Sequence, residues 1–213
     1  SIQEEKTENM NLTKKLMIAC ACAAVAFSVL PAVAQTNFTV SSNIDTDETW
    51  YTGNTYTLDR PIFVTDGATL TIQPGVLIRG EKELTTDPGA LIVTRGSKIM
   101  AMGTCDQPIV MTDTEDDHYV GANPTAGTPP YSTMNNGLSR QWGGLIVLGE
   151  AYLATDVGGA GAPSPQCGLV SQVEGLAISA ESQYGGGDDM DDSGEIHYVS
   201  IRYGGFVLAG SNE

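Results

Sequence analysis

Pro61-Ile62-Phe63-Val64-Thr65-Asp66-Gly67-Ala68-Thr69-Leu70-Thr71-Ile72 is answered 29 residues later by Ala90-Leu91-Ile92-Val93-Thr94-Arg95-Gly96-Ser97-Lys98-Ile99-Met100-Ala101. Both stretches read as an apolar run, a turn holding a glycine, and an alternating strand. A third copy, Leu145-Ile146-Val147 with Gly149, follows a polar insertion. Short-strand repeats at this spacing signal a solenoid, in which each coil buries its apolar face only against its neighbours. In the first copy Leu70 and Ile72 share one face and Thr69 and Thr71 the other, the period of a half-buried strand. Gln73-Pro74-Gly75 turns a corner into Val76-Leu77-Ile78-Arg79, and the second copy continues in the same way from Pro108 to Thr112. Three strands and three corners per turn predict an all-β chain, a triangular parallel β-helix. The bias of parallel crossovers predicts a right-handed one. The inward row is expected to hold Leu70, Ile72, Ile99, Ile109, Ile146, Val199 and Ile201.

Outward from this repeat, residues 35–60 read as an N-terminal cap, with Trp50 covering the first coil and Gly53-Asn54 turning between two short strands. Coils are expected over 61–213, broken by loops at 113–141 and 156–166. Insertions in a solenoid project from one side, often the working side. Trp142-Gly143-Gly144-Leu145 restarts the stack, and Tyr198 to Tyr203 forms the last strand.

The chain ends carry their own signals. Met10, Lys14-Lys15, the apolar run Leu16 to Leu30 and Ala32-Val33-Ala34 make a positive region, an apolar stretch and an A-x-A site. This pattern predicts a secretory signal peptide over 10–34, cleaved to leave Gln35 first. Residues 1–9 read as upstream sequence that is not translated. The strand-like Val207-Leu208-Ala209-Gly210 runs to Glu213 without a polar cap, so the helix is expected to be truncated at its C-terminus.

Composition excludes several classes. From Gln35 onward 7 Lys and Arg stand against 23 Asp and Glu, so this part carries the full net charge of −16. Such a surface repels phosphate backbones and argues against a nucleic-acid partner. The 25 glycines and 10 prolines favour turns over helices. After the signal no segment reads as a transmembrane span. Cys105 and Cys167 remain after processing, and an even count in an exported chain allows a disulfide between them. The alternative is two buried thiols that act as small apolar residues.

Five motifs stand in fixed order: Trp142-Gly143-Gly144-Leu145-Ile146-Val147-Leu148-Gly149, Val173-Glu174-Gly175-Leu176, Tyr184-Gly185-Gly186 with Asp188-Asp189, Asp191-Asp192-Ser193-Gly194, and Tyr198-Val199-Ser200-Ile201-Arg202-Tyr203-Gly204-Gly205. The set resembles a group of exported bacterial right-handed parallel β-helix proteins of pectate-lyase-like fold, largely uncharacterised. The resemblance implies further coils after Asn212-Glu213. It supplies no catalytic residues to carry over.

The densest polar cluster is Asp188-Asp189-Met190-Asp191-Asp192-Ser193-Gly194-Glu195. Asp189, Asp191 and Ser193 alternate before Gly194 as in the opening of a calcium loop, with Asp188, Asp192 and Glu195 as alternative ligands. The bidentate glutamate of such loops is replaced by Ser200, so a solvated acidic turn is the competing reading. Calcium is the one cofactor the sequence suggests. Arg79, Arg95 and Arg202, with Asp116-Asp117, are the groups a lyase or hydrolase would draw on. They fall at different points of the repeat, and surface ion pairing is the more ordinary role. His118 and His197 stand alone, without a nucleophile signature. Tyr119, Tyr131 and Tyr184 lie in predicted loops where rings can stack on sugars.

Together these features predict an exported, non-catalytic β-helix acting as a structural or adhesive module. Its place is outside the cell or on the outer-membrane surface, with the periplasm as an alternative. Its expected partners are extracellular glycans or cell-surface proteins. The alternative is a polysaccharide lyase or glycoside hydrolase of the β-helix type.

Overall fold

A computed structural model describes residues 35–81, 88–116, 142–155, 164–166, 168–173 and 175–205. The proposed signal at 10–34 and the upstream segment 1–9 lie outside the described residues, as does most of the 113–141 insertion.

Three parallel sheets form the sides of the stack. The first holds β1 (Asn37–Val40), β3 (Thr55–Leu58), β6 (Leu77–Gly80), β9 (Ile109–Asp113) and β16 (Val199–Ile201), in that order. The second runs β2 (Glu48–Trp50), β5 (Thr69–Ile72), β8 (Lys98–Met102), β15 (Gly194–His197). The third runs β4 (Pro61–Val64), β7 (Ala90–Val93), β10 (Gly144–Val147), and Ile44 bridges to Val64 at its free side. The chain visits the three sheets in strict rotation, and every pairing between coils is parallel. This is the parallel β-helix the repeat predicts.

Register explains the core. Trp50, Ile72 and Ala101 stack in one inward row, and Leu70 stacks on Ile99 in another. Tyr56, Ile78 and Met111 stack likewise in the first sheet. Trp50, Leu70, Ile72, Ile78, Ile109 and Met111 are all fully buried, and Ile99 nearly so. Burying a side chain of this size stabilises by about 1.5–3 kcal/mol, so like-on-like stacking holds each coil to the next. Trp50 also stacks on Tyr56 at 4.5 Å between ring centroids. Phe38, beside Tyr56 in register, covers that pair from above.

The corners are hydrogen-bonded turns. Ala68 N–H donates to Thr65 carbonyl oxygen, and 29 residues later Ser97 N–H donates to Thr94 carbonyl oxygen. Gly67 and Gly96 take φ of +77° and +74° there, a region an L side chain enters only at a cost. Asp66 shares it at +58°, which aspartate tolerates better than most residues.

The structure revises the expected boundaries in two places. The stack starts before Pro61, because β2 and β3 pair with β5 and β6 as a full coil around the Gly53 corner. The departure after β10 is also longer than 156–166: the chain leaves the sheets at Leu148 and rejoins them at Gly194. Within this excursion β11 (Leu153–Thr155) pairs antiparallel with β12 (Ser164–Gln166). Likewise β13 (Ser171–Gln172) pairs with β14 (Gln183–Tyr184). The excursion covers the outer face of the third sheet. Val173, Leu176 and Tyr184 pack there against Ala90, Ile92, Leu148, Ile146 and Phe63.

Ile146 therefore faces outward, contrary to the expected inward row. Its register partner is Ile92, while Leu145 stacks on Leu91 and turns to the core. Val199 packs inward as expected. Ile201 lies in register with the buried Met111 yet is half exposed, as is Ile196 beside Ala101.

Candidate functional site

The acidic turn from Asp188 to Glu195 carries β15 back into the second sheet. Its carboxylates do not converge on one point. Asp191 Oδ2 accepts from Glu150 N–H at 3.1 Å and from the Ser193 hydroxyl at 3.1 Å. Asp189 accepts from Tyr152 N–H at 3.0 Å and Asp188 from Met190 N–H at 2.9 Å. Asp192 accepts from Gly194 N–H and pairs with Lys98 at 2.8 Å, and both contacts hold its carboxyl below the usual carboxylate range. Glu195 lies 3.4 Å from His197, and both are exposed. Among the described residues no three His, Cys, Asp or Glu side chains are grouped to hold a metal ion. Gly194 closes the turn with φ of +110°, where an added Cβ would lie 2.0 Å from Ile99 carbonyl oxygen.

A second polar cluster sits at the base of the large insertion. Asp116 Oδ2 accepts from Arg202 Nε at 2.9 Å and from the Thr112 hydroxyl at 2.7 Å, with the Asp116 and Arg202 side chains 1% and 8% exposed. Trp142 Nε1 donates to Arg202 carbonyl oxygen at 2.6 Å. Arg202 thus grips Asp116 and Trp142, the described residues on either side of 117–141. Its guanidinium also donates to the Tyr203 hydroxyl and lies 5.1 Å from that ring's centroid. Arg79 donates to Asp116 carbonyl oxygen at 3.3 Å. Asp113, fully buried beside them, accepts from Glu115 N–H at 2.6 Å, and burial raises its carboxyl above the usual range.

The third cluster lies at the stacked corner between the third and second sheets. Arg95 reaches across the corner to the excursion, donating from Nη1 to Gly185 carbonyl oxygen at 3.1 Å and from Nη2 to Gln183 Oε1 at 3.3 Å. Gly185 is itself packed closely against Leu153, where an added Cβ would lie 2.5 Å from that side chain. A cavity of about 270 Å³ opens beside Arg95, lined also by Thr65, Asp66, Thr94, Glu150 and Glu181.

Residues 42–213 match the family described as pectate-lyase like beta helix domain. The chain belongs to that family. No curated protein and no solved structure matches it. Membership in a pectate-lyase-like β-helix family carries the fold and leaves the activity to the sites themselves.

In this β-helix domain the residues expected from sequence are scattered over several sites. Asp188, Asp189, Asp191, Asp192 and Ser193 share one turn but serve different donors, and Glu195 points to His197. Arg79 and Arg202 meet at Asp116, while Arg95 stands at another corner. Tyr184, in β14 of the excursion, is half-buried against the outer face of the third sheet. Cys105 is exposed between β8 and β9. Cys167, Asp117, His118, Tyr119 and Tyr131 lie outside the described residues. Among the described residues no helix is long and apolar enough to cross a membrane.

Sequence reasoning missed the covered outer face and the corner cavity. The first had a signal: Ala90-Leu91-Ile92-Val93 is apolar at every position, and a strand buried on both faces reads that way. The second had a weaker one. Asp66 and Arg95 occupy equivalent turn positions 29 residues apart, an acid and a base at one corner.

Proposed function

We propose that this chain forms part of an exported, non-catalytic β-helix that acts at the cell surface as a structural or adhesive module and holds glycans. One observation carries the non-catalytic reading. Three of the four described arginines are engaged in fastening loops to the stack, Arg79 and Arg202 on Asp116 and Arg95 on Gly185 and Gln183. A group that must take up a proton or meet a substrate needs its polar atoms free toward a cleft. A rigid rod with tied loops is instead suited to presenting a fixed surface, and the signal-like stretch before Gln35 supports export.

The test incubates the full chain with acidic and neutral polysaccharides, with calcium present, and measures both retention on the polymer and release of ends. Retention on a polysaccharide without new ends is the expected result. Release of unsaturated or reducing ends that disappears in an Asp116→Asn or Arg202→Lys variant would establish the lyase or hydrolase reading instead.

A further inference from the structure

The corner cavity has an unusual charge arrangement. Asp66, Glu150 and Glu181 line it together with Arg95, yet Arg95 forks away onto two neutral acceptors, Gly185 carbonyl oxygen and Gln183 Oε1. Neither Asp66 nor Glu150 has a side-chain hydrogen bond or ion pair among the described residues. The neighbouring Ser179 side chain holds the Glu181 carboxyl below the usual carboxylate range. Arg95 Nε is buried without an acceptor. The cavity therefore offers three carboxylates and a threonine hydroxyl at Thr65 beside the Arg95 guanidinium, with a net formal charge of −2.

This set selects by chemistry. An anionic ligand is disfavoured, because it would meet three carboxylates and a guanidinium already turned elsewhere. A single metal ion does not fit, since these acids are not grouped closely enough to ligate one. A ligand larger than an ion, carrying an ammonium and several hydroxyls, satisfies the carboxylates with charge-assisted bonds and leaves oxygens for Arg95 and Thr65. At about 270 Å³ the space is just under the range of about 300–1,000 Å³ for drug-sized ligands, which suits one ring of a chain. The cavity also stands open to solvent between the stacked corner and the excursion, so a polymer can enter at one unit and continue outside.

We propose that this cavity is a subsite for a saccharide unit bearing a free amine, a glucosamine-type residue, with Glu150 and Asp66 receiving the ammonium. The proposal rests on the glycan-binding reading above and specifies its ligand. Asp66 follows β4, Arg95 follows β7 and Glu150 follows β10, so the subsite exists only when these strands are stacked. Glu181 closes it from the excursion.

The experiment is calorimetric titration of the full chain with a tetramer of β-1,4-linked glucosamine, at a pH where the amines hold their protons. Parallel arms use the fully N-acetylated tetramer and spermidine. The glucosamine tetramer is expected to bind at least tenfold more tightly than either. Glu150→Gln and Asp66→Asn should each weaken it about tenfold, the loss of one charge-assisted contact. Asparagine tolerates the positive φ at position 66, so that variant keeps the turn. Asp106→Asn, an exposed acid at a different corner, should leave binding unchanged. Equal affinity for the two tetramers, spermidine binding as tight as the sugar, or unchanged binding in both cavity variants would overturn the subsite. If that happens while polysaccharide retention persists, the cavity proposal alone fails. Loss of retention on every polysaccharide removes the glycan reading itself.

Discussion

The coils from Pro61 to Asp113 and the excursion from Leu148 to Ser193 are held by different forces. In the coils, buried isoleucine and leucine sit directly above one another and every strand has a parallel partner on at least one side. Among the described residues the excursion has one apolar contact surface, the outer face of the third sheet, and is otherwise fixed by polar atoms and close backbone approaches. Its inner hub is a hydroxyl: Ser182 Oγ donates to Ala177 carbonyl oxygen at 2.8 Å and accepts from Ser179 N–H. Gly186 is held so tightly that a Cβ would lie 2.6 Å from Glu150 carbonyl oxygen. Apolar stacking spreads stability over a whole coil, whereas polar fastening concentrates it in a few atoms. Damage to the first should lower global stability, and damage to the second should loosen a segment.

The sharpest way to break this contrast is to truncate one residue of each kind. Ile72→Ala removes a fully buried side chain between Trp50 and Ala101 and should cost about 2–5 kcal/mol in urea unfolding. Ile146→Ala, half-buried beneath the excursion, should cost clearly less and leave the midpoint of the coils nearly unchanged. Equal losses would mean that the outer layer and the core form one cooperative unit.

A comparable loss is expected at the base of the insertion. Asp116→Ala leaves Arg202 buried without its carboxylate, and breaking a buried pair on one side costs about 3–5 kcal/mol. Replacing both partners with apolar residues should recover much of that, because the desolvation cost goes with them. A double variant as unstable as the single one would show that the contacts of Arg202 with Trp142 and Tyr203 matter more than its ion pair.

A smaller and local effect is expected at Arg95. Arg95→Met keeps the stem and removes the fork to Gly185 and Gln183. Amide hydrogen exchange should quicken across residues 182–186 while the amides of β5 and β8 keep their protection. Uniform quickening in both regions would place the fork within the global unit.

How much of this was legible depended on sequence distance. The 29-residue repeat fixed β4, β5, β7 and β8 because alternation and turn glycines are local. Ile146 was misassigned because Gly144–Val147 is apolar at both parities, so only register with Leu91 and Ile92 decides which residue turns inward. The fastening contacts leave no local trace: Arg95 meets Gly185 across 90 positions, and Arg202 meets Asp116 across 86. The acidic turn was visible as composition, but its partners Glu150, Tyr152 and Lys98 were not.

The smallest effect should come from that acidic turn, and it separates its two readings. The carboxylates of Asp188, Asp189, Asp191 and Asp192 already accept from backbone N–H groups, and Asp192 also holds Lys98. A cation drawing Asp189 and Asp191 together would pull them from Tyr152 and Glu150 and loosen the start of the excursion. Lys98→Met should therefore barely move the melting midpoint, since the pair is exposed and screened by salt. Added calcium should leave the midpoint where it is in both proteins. A rise with calcium that is lost in Asp189→Asn would show that the turn rearranges to bind the ion, since a ligand that prefers the folded state must stabilise it. The acids would then act as calcium ligands, and the N–H contacts seen here would belong to the calcium-free arrangement of the same loop.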